Sequence, residues 1–303
     1  MEVNFVTNKK HYGSETKCQE VEWTFPPQHQ SRQPGFEYLM DPLPIFDNPN
    51  YIGTGKLKGR TAVITGGDSG IGRAIAVAFA KEGANIVIAY YDEHTDAETT
   101  KQAIEYYGSS CLLIPGDLRR KEHCTFIVQK TLETYGKMNI LVNNAAIQFL
   151  QDNLTSIPAE QWELTFDVNI HSYFHLTKAT LPYLNHGASI INTTSIVAYS
   201  GASNMIDYST TKGAIVSYTR ALANNLVSKG IRVNAVAPGP FWTPIQPATK
   251  PAKKTATLGS DVPMKRAGQP YEIAPVYVLL ASDDGSYMTG QTIHVNGGAM
   301  VTT

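Results

Sequence analysis

The chain is expected to fold as an α/β protein, a doubly wound parallel sheet with helices on both faces, entered through an extended arm. Two observations point there. From Leu57 onward, short apolar runs alternate with segments of helical periodicity, the pattern of parallel strands joined by helical crossovers. Residues 1 to 55 read differently, because Pro26-Pro27, Pro34-Gly35 and Pro42-Leu43-Pro44 interrupt every candidate helix or strand. The expected organisation is therefore a Pro-rich arm over 1–55 and a single Rossmann-type domain over 56–303.

Within the arm, Phe25, Phe36, Tyr38, Leu39, Met40, Leu43, Ile45 and Phe46 are too many apolar side chains for a solvated linker. Residues 25–55 should lie on the domain or on a neighbouring subunit, whereas residues 1–20 read as disorder. Gly53-Thr54-Gly55-Lys56 resembles a phosphate loop, but no strand precedes it, so it reads as a linker.

Seven strands follow: Ala62–Thr65, Asn85–Ala89, Cys111–Pro115, Ile140–Asn143, Ser189–Thr194, Arg232–Val236 and Thr292–Val295. Short continuous apolar runs bounded by turn residues suit strands buried on both faces. The first leads into Thr65-Gly66-Gly67-Asp68-Ser69-Gly70-Ile71-Gly72, which opens a helix with Ile75, Ala78 and Phe79 on one face and Gly83 as its stop. Such glycines allow a tight turn and close backbone approach to a pyrophosphate, toward which the helix aims its first N–H groups. The bland alternative is a tight turn alone. A long helix over Asn204–Ser228 is supported by Ala214, Ile215, Tyr218, Ala221, Leu222 and Leu226 at spacings of three and four. Ile273, Val276, Tyr277 and Leu280 form another core-facing stripe, with Pro275 near its helix start.

Of the 303 residues, 42% are hydrophobic, enough for a sizeable core, and the formal charge of −1 argues against nonspecific nucleic-acid binding. No apolar stretch is long enough to span a membrane, and Met1–Lys10 lacks the order of a signal peptide, so a cytoplasmic protein is expected. Cys18, Cys111 and Cys124 read as free thiols. His171 and His175 stand four apart on a helix without a third ligand or a His-Glu-x-x-His pattern, so no metal is expected there. Both should pack at a helix face or subunit contact, and His294 should belong to the last strand and turn.

The chemistry gathers at Ser195, Tyr208 and Lys212. Tyr208 and Lys212 are four apart on the predicted helix and therefore share a face, with Cβ atoms about 5–6 Å apart. A phenol titrates near ~10 in water, and a nearby ammonium lowers that value by stabilising the phenolate. Ser195 ends a strand, where open α/β sheets build their sites. This arrangement can exchange a proton with a substrate hydroxyl, as a nicotinamide-dependent oxidoreductase requires.

Taken in order, Thr65-Gly66-x-x-x-Gly70-x-Gly72, Asn143-Asn144-Ala145-Ala146, Ser195, Tyr208-x-x-x-Lys212 and Pro238-Gly239 resemble the short-chain dehydrogenase/reductase family over residues 57–300. The arm's Pro26–Gln30 and Gly55–Gly59 are similar to those of glucose-dehydrogenase-like bacterial members, general stress proteins among them. The resemblance implies single-domain subunits of a homotetramer that move a hydride between a nicotinamide cofactor and a short ketone, aldehyde, polyol or sugar. Tyr208 would be the acid-base, Ser195 would orient the substrate, Lys212 would hold the nicotinamide ribose, and Asn169 would hold a water in a proton relay. Around the cofactor it places Gly66, Asp68, Ser69, Gly70, Ile71 and Gly72, then Tyr90 and Tyr91. It adds Asp117 and Leu118, where Asp117 meets the adenine or is simply a helix N-cap. Asn144, Ala145, Ala146, Val168 and Thr193 follow, with Ala146 standing where the family has Gly. Pro238, Gly239, Phe241 and Thr243 receive the nicotinamide carboxamide.

Trp242 either narrows the substrate pocket or packs beneath a lid expected over about 241–262. NAD is favoured over NADP, since Tyr90–Glu93 offers no base, Ser69 stands where a basic residue would, and Asp68 and Asp92 disfavour a phosphate. The carboxylate expected at position 90 is absent, so dual use stays open. A 3-oxoacyl reductase, a dinucleotide-binding regulator and a stress scaffold are the alternatives. An enoyl reductase is disfavoured, because that branch spaces its tyrosine and lysine more widely.

Overall fold

The computed structural model describes residues 25–301; Cys18 and the disorder expected of residues 1–20 lie outside them. Seven strands form one parallel sheet: β1 (Thr61–Thr65), β2 (Asn85–Tyr90), β3 (Cys111–Pro115), β4 (Ile140–Asn143), β5 (Ser189–Thr193), β6 (Arg232–Pro238) and β7 (Thr292–Val295). The spatial order is β3-β2-β1-β4-β5-β6-β7. Each strand begins and ends within two residues of its expected position. Strand β1 pairs with β2 on one side and β4 on the other, so the winding direction reverses there, and a crevice opens at the carboxyl ends of the strands.

Alternation along the strands divides the core into two layers. Ile64, Ile86 and Ile88 face α1 (Gly70–Lys81), α2 (His94–Tyr106) and the carboxyl-terminal helix, while Val63, Val87 and Leu141 face α3 (Lys121–Tyr135) and its neighbours. The remaining helices are α4 (Ala159–Phe166), α5 (Ser172–Thr180), α6 (Val197–Ser200), α7 (Ile206–Leu226), α8 (Ile245–Thr249), α9 (Ala252–Ala256) and α10 (Ala274–Ala281). Buried asparagines stitch the sheet to its helices: Asn143 donates to Asn192 Oδ1 at 2.9 Å, and Asn192 donates to Thr219 Oγ1 at 2.9 Å. Of the apolar stripe on α10, Ile273, Tyr277 and Leu280 are fully buried. His294 lies in β7 with its ring edge-on to Tyr199, and His171 bonds Asp167 at an exposed helix face.

From residue 25 to 55 the chain makes one short 3-10 turn, Glu37–Leu39, and otherwise runs irregularly over the domain. Phe25 and Met40 join Trp242, Leu258 and Ala267 in a small separate core. Gly53–Lys56 does embrace an anion, but an internal one. Thr54 and Lys56 each donate a backbone N–H to a Glu82 carboxylate oxygen at 2.9 Å, and the Tyr51 hydroxyl donates to the other oxygen. That segment works as a clasp around the end of α1.

Candidate active site

A cavity of about 1150 Å³ occupies the crevice. The loop after β1 contributes Gly66, Asp68, Ser69, Gly70 and Ile71; Tyr90, Tyr91, Asp117 and Leu118 come from the ends of β2 and β3. Asn144, Ala145, Ala146, Val168 and Thr193 line it from β4, the following helix and β5, as do Pro238, Gly239, Phe241 and Thr243 beyond β6. Gly72 does not line it. A Cβ there would fall 1.8 Å from the Gly66 carbonyl oxygen, so this glycine lets α1 close onto the loop. Gly66, at φ +62°, would put a Cβ 3.1 Å from Ala145 Cα, which keeps the loop and the β4 motif in close contact.

Ser195, Tyr208 and Lys212 converge on the same cavity. The Ser195 hydroxyl lies near enough to Tyr208 to favour its phenolate, and it also accepts the Val197 N–H at 3.4 Å. Lys212 donates from Nζ to the Thr193 carbonyl at 2.9 Å and stands 5.4 Å from the Tyr208 ring centre. Two clamps fix the start of α7. The Thr194 hydroxyl donates to the Lys212 carbonyl at 2.7 Å, and Asp207 accepts from Gln161 and Thr165 of α4 at 2.9 and 2.8 Å. Asp207 was not evident from the sequence, because its partners lie on another helix.

The electrostatics differ from the sequence expectation. Burial pushes the Tyr208 phenol up to about 12, opposed only by the nearby Ser195 hydroxyl. The same burial brings the Lys212 ammonium down to about 7. The expected lowering of Tyr208 by Lys212 is therefore not what this geometry produces: desolvation outweighs attraction, and the ammonium bonds a carbonyl instead of the phenol.

Three other expectations change. Asn169 sits in a π-helical turn, Asp167–His171, and is fully buried. Its Oδ1 accepts from the Ile147 N–H at 2.9 Å, and its Nδ2 donates to the Ile147 carbonyl at 2.9 Å and to Thr211 at 3.2 Å. The side chain clamps the loop after β4 to α7 instead of reaching the cavity. Trp242 is absent from the cavity wall as well, and of its two expected placements it adopts the one beneath the lid, packed with Leu258. It is fully buried, stacks on Phe25 at 3.7 Å between ring centres and donates from Nε1 to the Pro42 carbonyl at 2.8 Å. Asp92 turns outward to Arg32 at 2.5 Å, and the carboxylate that does reach the cavity is Glu93. Asp117 stays on the wall, bonded to Arg119; the N-cap of α3 is Arg120.

Glu93 is buried, and its Oε1 has no hydrogen-bond partner among the described residues, the nearest cation being Arg32 at 3.9 Å. Burial pushes its carboxyl up to about 7, with Asp68 adding repulsion, and pushes Asp68 up to about 6. Sequence reasoning also missed Glu37. Its carboxylate accepts the Gly70 N–H at 2.6 Å and pairs with buried Arg73 at 2.5 Å, so an internal anion already holds the first amide of α1. The signal for this pair was Arg73 itself, a cation inside an apolar helix face.

The segment expected as a lid is formed by α8 and α9, held from outside by the arm. Phe25 N–H donates to the Ala256 carbonyl at 2.8 Å and Gln30 N–H to the Pro247 carbonyl at 2.9 Å. No helix among the described residues is long and apolar enough to cross a membrane, and no cluster of metal-ligating side chains occurs among them.

A family model described as enoyl-(acyl carrier protein) reductase matches residues 66–300. General stress protein 39 of Bacillus subtilis (strain 168) is 56% identical over 278 residues, covering 92% of this chain and 97% of that protein. Glucose and ribitol dehydrogenase of Daucus carota is 46% identical over 283 residues, 91% of this chain and 97% of that one. Among solved structures, a short-chain dehydrogenase from Burkholderia cenocepacia J2315 in complex with NADP superposes with a TM-score of 0.76 at 27% identity, covering 80% of this chain and 99% of its own.

Proposed function

The chain belongs to the short-chain dehydrogenase/reductase family, and on that premise we propose roles for its site residues. It is an NAD(P)-dependent oxidoreductase of alcohol and carbonyl substrates. The observation that carries the assignment of roles is that Ser195, Tyr208 and Lys212 stand on the wall of the same cavity that holds the Gly-rich loop.

The residues present fit a nicotinamide dinucleotide. A Cβ at Gly66 or Gly70 would press within 3.1 Å of Ala145 or Thr243, and the orphan Glu93 Oε1 is an acceptor waiting for a donor. When bound, the nicotinamide gives or takes the hydride. Tyr208 hands its proton to the carbonyl oxygen in reduction and takes the hydroxyl proton in oxidation, while Ser195 holds that oxygen. Lys212 stands one turn away to hold the nicotinamide ribose. Asn169 supports the relay by fixing Ile147 and Thr211.

A phenol near 12 keeps its proton at neutral pH, which suits it as an acid for reduction. The kcat/KM for alcohol oxidation should therefore climb about tenfold per pH unit between pH 7 and 10, while reduction lacks that rise. A plateau of oxidation above pH 8 would show that the phenol titrates lower.

For the dinucleotide, NAD is the proposed preference. Asp68 and Glu93 supply two carboxylates where a ribose diol would be welcome and a 2′-phosphate repelled. Glu93→Ala should narrow the NAD over NADP ratio of kcat/KM by about tenfold, the loss of one charge-assisted hydrogen bond. An unaltered ratio would remove Glu93 from this role.

Sugars, polyols, short ketones and aldehydes are the proposed substrates. The one-turn Tyr208–Lys212 spacing favours carbonyl over enoyl reduction. A homotetramer is proposed on the family resemblance, supported by the exposed Phe126 on α3 and Phe174 on α5. A cytoplasmic, stress-related setting is proposed on the similarity to general stress protein 39. The test is an assay with NADH and NADPH across aldehydes, ketones and sugars; no turnover with either dinucleotide would overturn the reading.

A further inference from the structure

Residues 25–38 touch three parts of the cavity in turn. Phe25 and Gln30 bond the lid helices, as above, and Phe25 stacks on Trp242. Glu37 and Tyr38 bond the other side: both backbone N–H groups donate to Asp96, and the Glu37 carboxylate reaches Gly70 and Arg73. Between these anchors, Gln33, Pro34 and Gly35 form part of the cavity wall.

The Gln33 side chain meets the wall residue Gln148 as a neighbouring strand would. Its Oε1 accepts the Gln148 N–H at 3.0 Å and its Nε2 donates to the Gln148 carbonyl, which also accepts from Thr249 of α8 at 3.3 Å. Gln148 follows the Asn144-Ala145-Ala146 motif and is itself buried. Gly35 permits the close approach, since a Cβ there would lie 2.6 Å from the Pro244 carbonyl oxygen and 2.9 Å from Ala248 Cβ.

We propose that Gln33 is a positioning residue for the substrate: it holds Gln148 and the adjoining lid wall in place, so the arm sets how bulky a carbonyl compound the cavity admits. This rests on the oxidoreductase reading above. A loop residue has no ladder partner, and a side-chain amide satisfying both its N–H and C=O does the work of one. Removing that amide leaves a buried N–H unpaired, and the loop moves to find another acceptor. The arm stays docked, because Phe25, Gln30 and Glu37 grip it on either side of the substitution. The Gly-rich loop keeps its own contacts, so dinucleotide affinity does not depend on Gln33.

The experiment compares Gln33→Ala with the wild-type full chain, using propanal and a bulky aromatic aldehyde, with NADH affinity from fluorescence titration. The expected result is a KM for propanal raised about fivefold or more with kcat nearly unchanged. The bulky-to-small ratio of kcat/KM should rise by a similar factor, and the NADH dissociation constant should stay within about twofold. Amide hydrogen exchange at Gln148 should accelerate about tenfold or more in the variant, a readout that needs no turnover. An unchanged size ratio, an unchanged exchange rate, or a matching loss of NADH binding overturns the proposal. Wild-type chain that turns over no aldehyde, ketone or sugar with either dinucleotide sinks the oxidoreductase reading instead, and the exchange result then decides the Gln33 contact on its own.

Discussion

Tyr208→Phe is expected to lower turnover by about a hundredfold or more while dinucleotide binding is retained. Phenylalanine fills the same buried space and removes only the hydroxyl, so the packing of α7 is kept. Lys212 does not depend on that hydroxyl, being held by the Thr193 carbonyl at 2.9 Å. Ser195 keeps its place beyond the end of β5, where its hydroxyl accepts the Val197 N–H. The loss should therefore fall on kcat, because the missing group acts on the proton in the transition state and contributes little to ground-state binding. Steady-state kinetics with NADH fluorescence titration separates the two. Turnover within tenfold of wild type would mean that another group moves the proton.

Arg73→Leu should destabilise the folded chain by about 3–5 kcal/mol, the usual consequence of leaving buried carboxylates without their cation. Arg73 bonds the Asp68 carbonyl and Thr100 through Nε at 3.0 and 2.7 Å, Glu37 at 2.5 Å, and the Asp96 carbonyl at 3.0 Å. It thereby ties α1, α2, the Gly-rich loop and the arm at one point. Burial pushes the Glu37 carboxyl up to about 7 from an ordinary 4.5, with Arg73 opposing the rise. For a carboxyl raised in this way, the contribution to stability is full below about 4.5 and is lost as pH rises through about 7. Without the guanidinium the rise is larger, so Arg73→Leu should cost less at pH 5 than at pH 8. Urea unfolding at the two pH values measures this. An equal cost at both would mean that Glu37 is not the group left exposed to the loss. Adding Glu37→Leu to Arg73→Leu should recover part of the stability at pH 8, since one buried charge is removed with its partner.

The strands were legible because each is a continuous apolar run buried on two faces; the expected Ile140–Asn143 is β4 itself, and the expected Asn85–Ala89 ends one residue before β2 does. The convergence of Ser195, Tyr208 and Lys212, the side chains proposed to react, on one cavity was legible for a similar reason, their order and spacing being local. Glu37 and Arg73 lie 36 positions apart, Gln33 and Gln148 lie 115 apart, and Trp242 bonds Pro42 across 200. No periodicity spans such distances. Asp92 and Glu93 are adjacent carboxylates, yet only Glu93 faces the cavity, because the chain turns into α2 there and Arg32 draws Asp92 outward.

The amino-acid sequence by itself determined the parallel sheet, the Gly-rich turn and the order Ser195, Tyr208, Lys212. Periodicity, turn chemistry and spacing act over a few residues and need no knowledge of the rest. Only the tertiary structure decided that Tyr208 keeps its proton while Lys212 gives its own up readily, that Trp242 faces the arm, and that Gln33 walls the cavity. Desolvation and long-range hydrogen bonds come into being only when distant segments close over one another and exclude water.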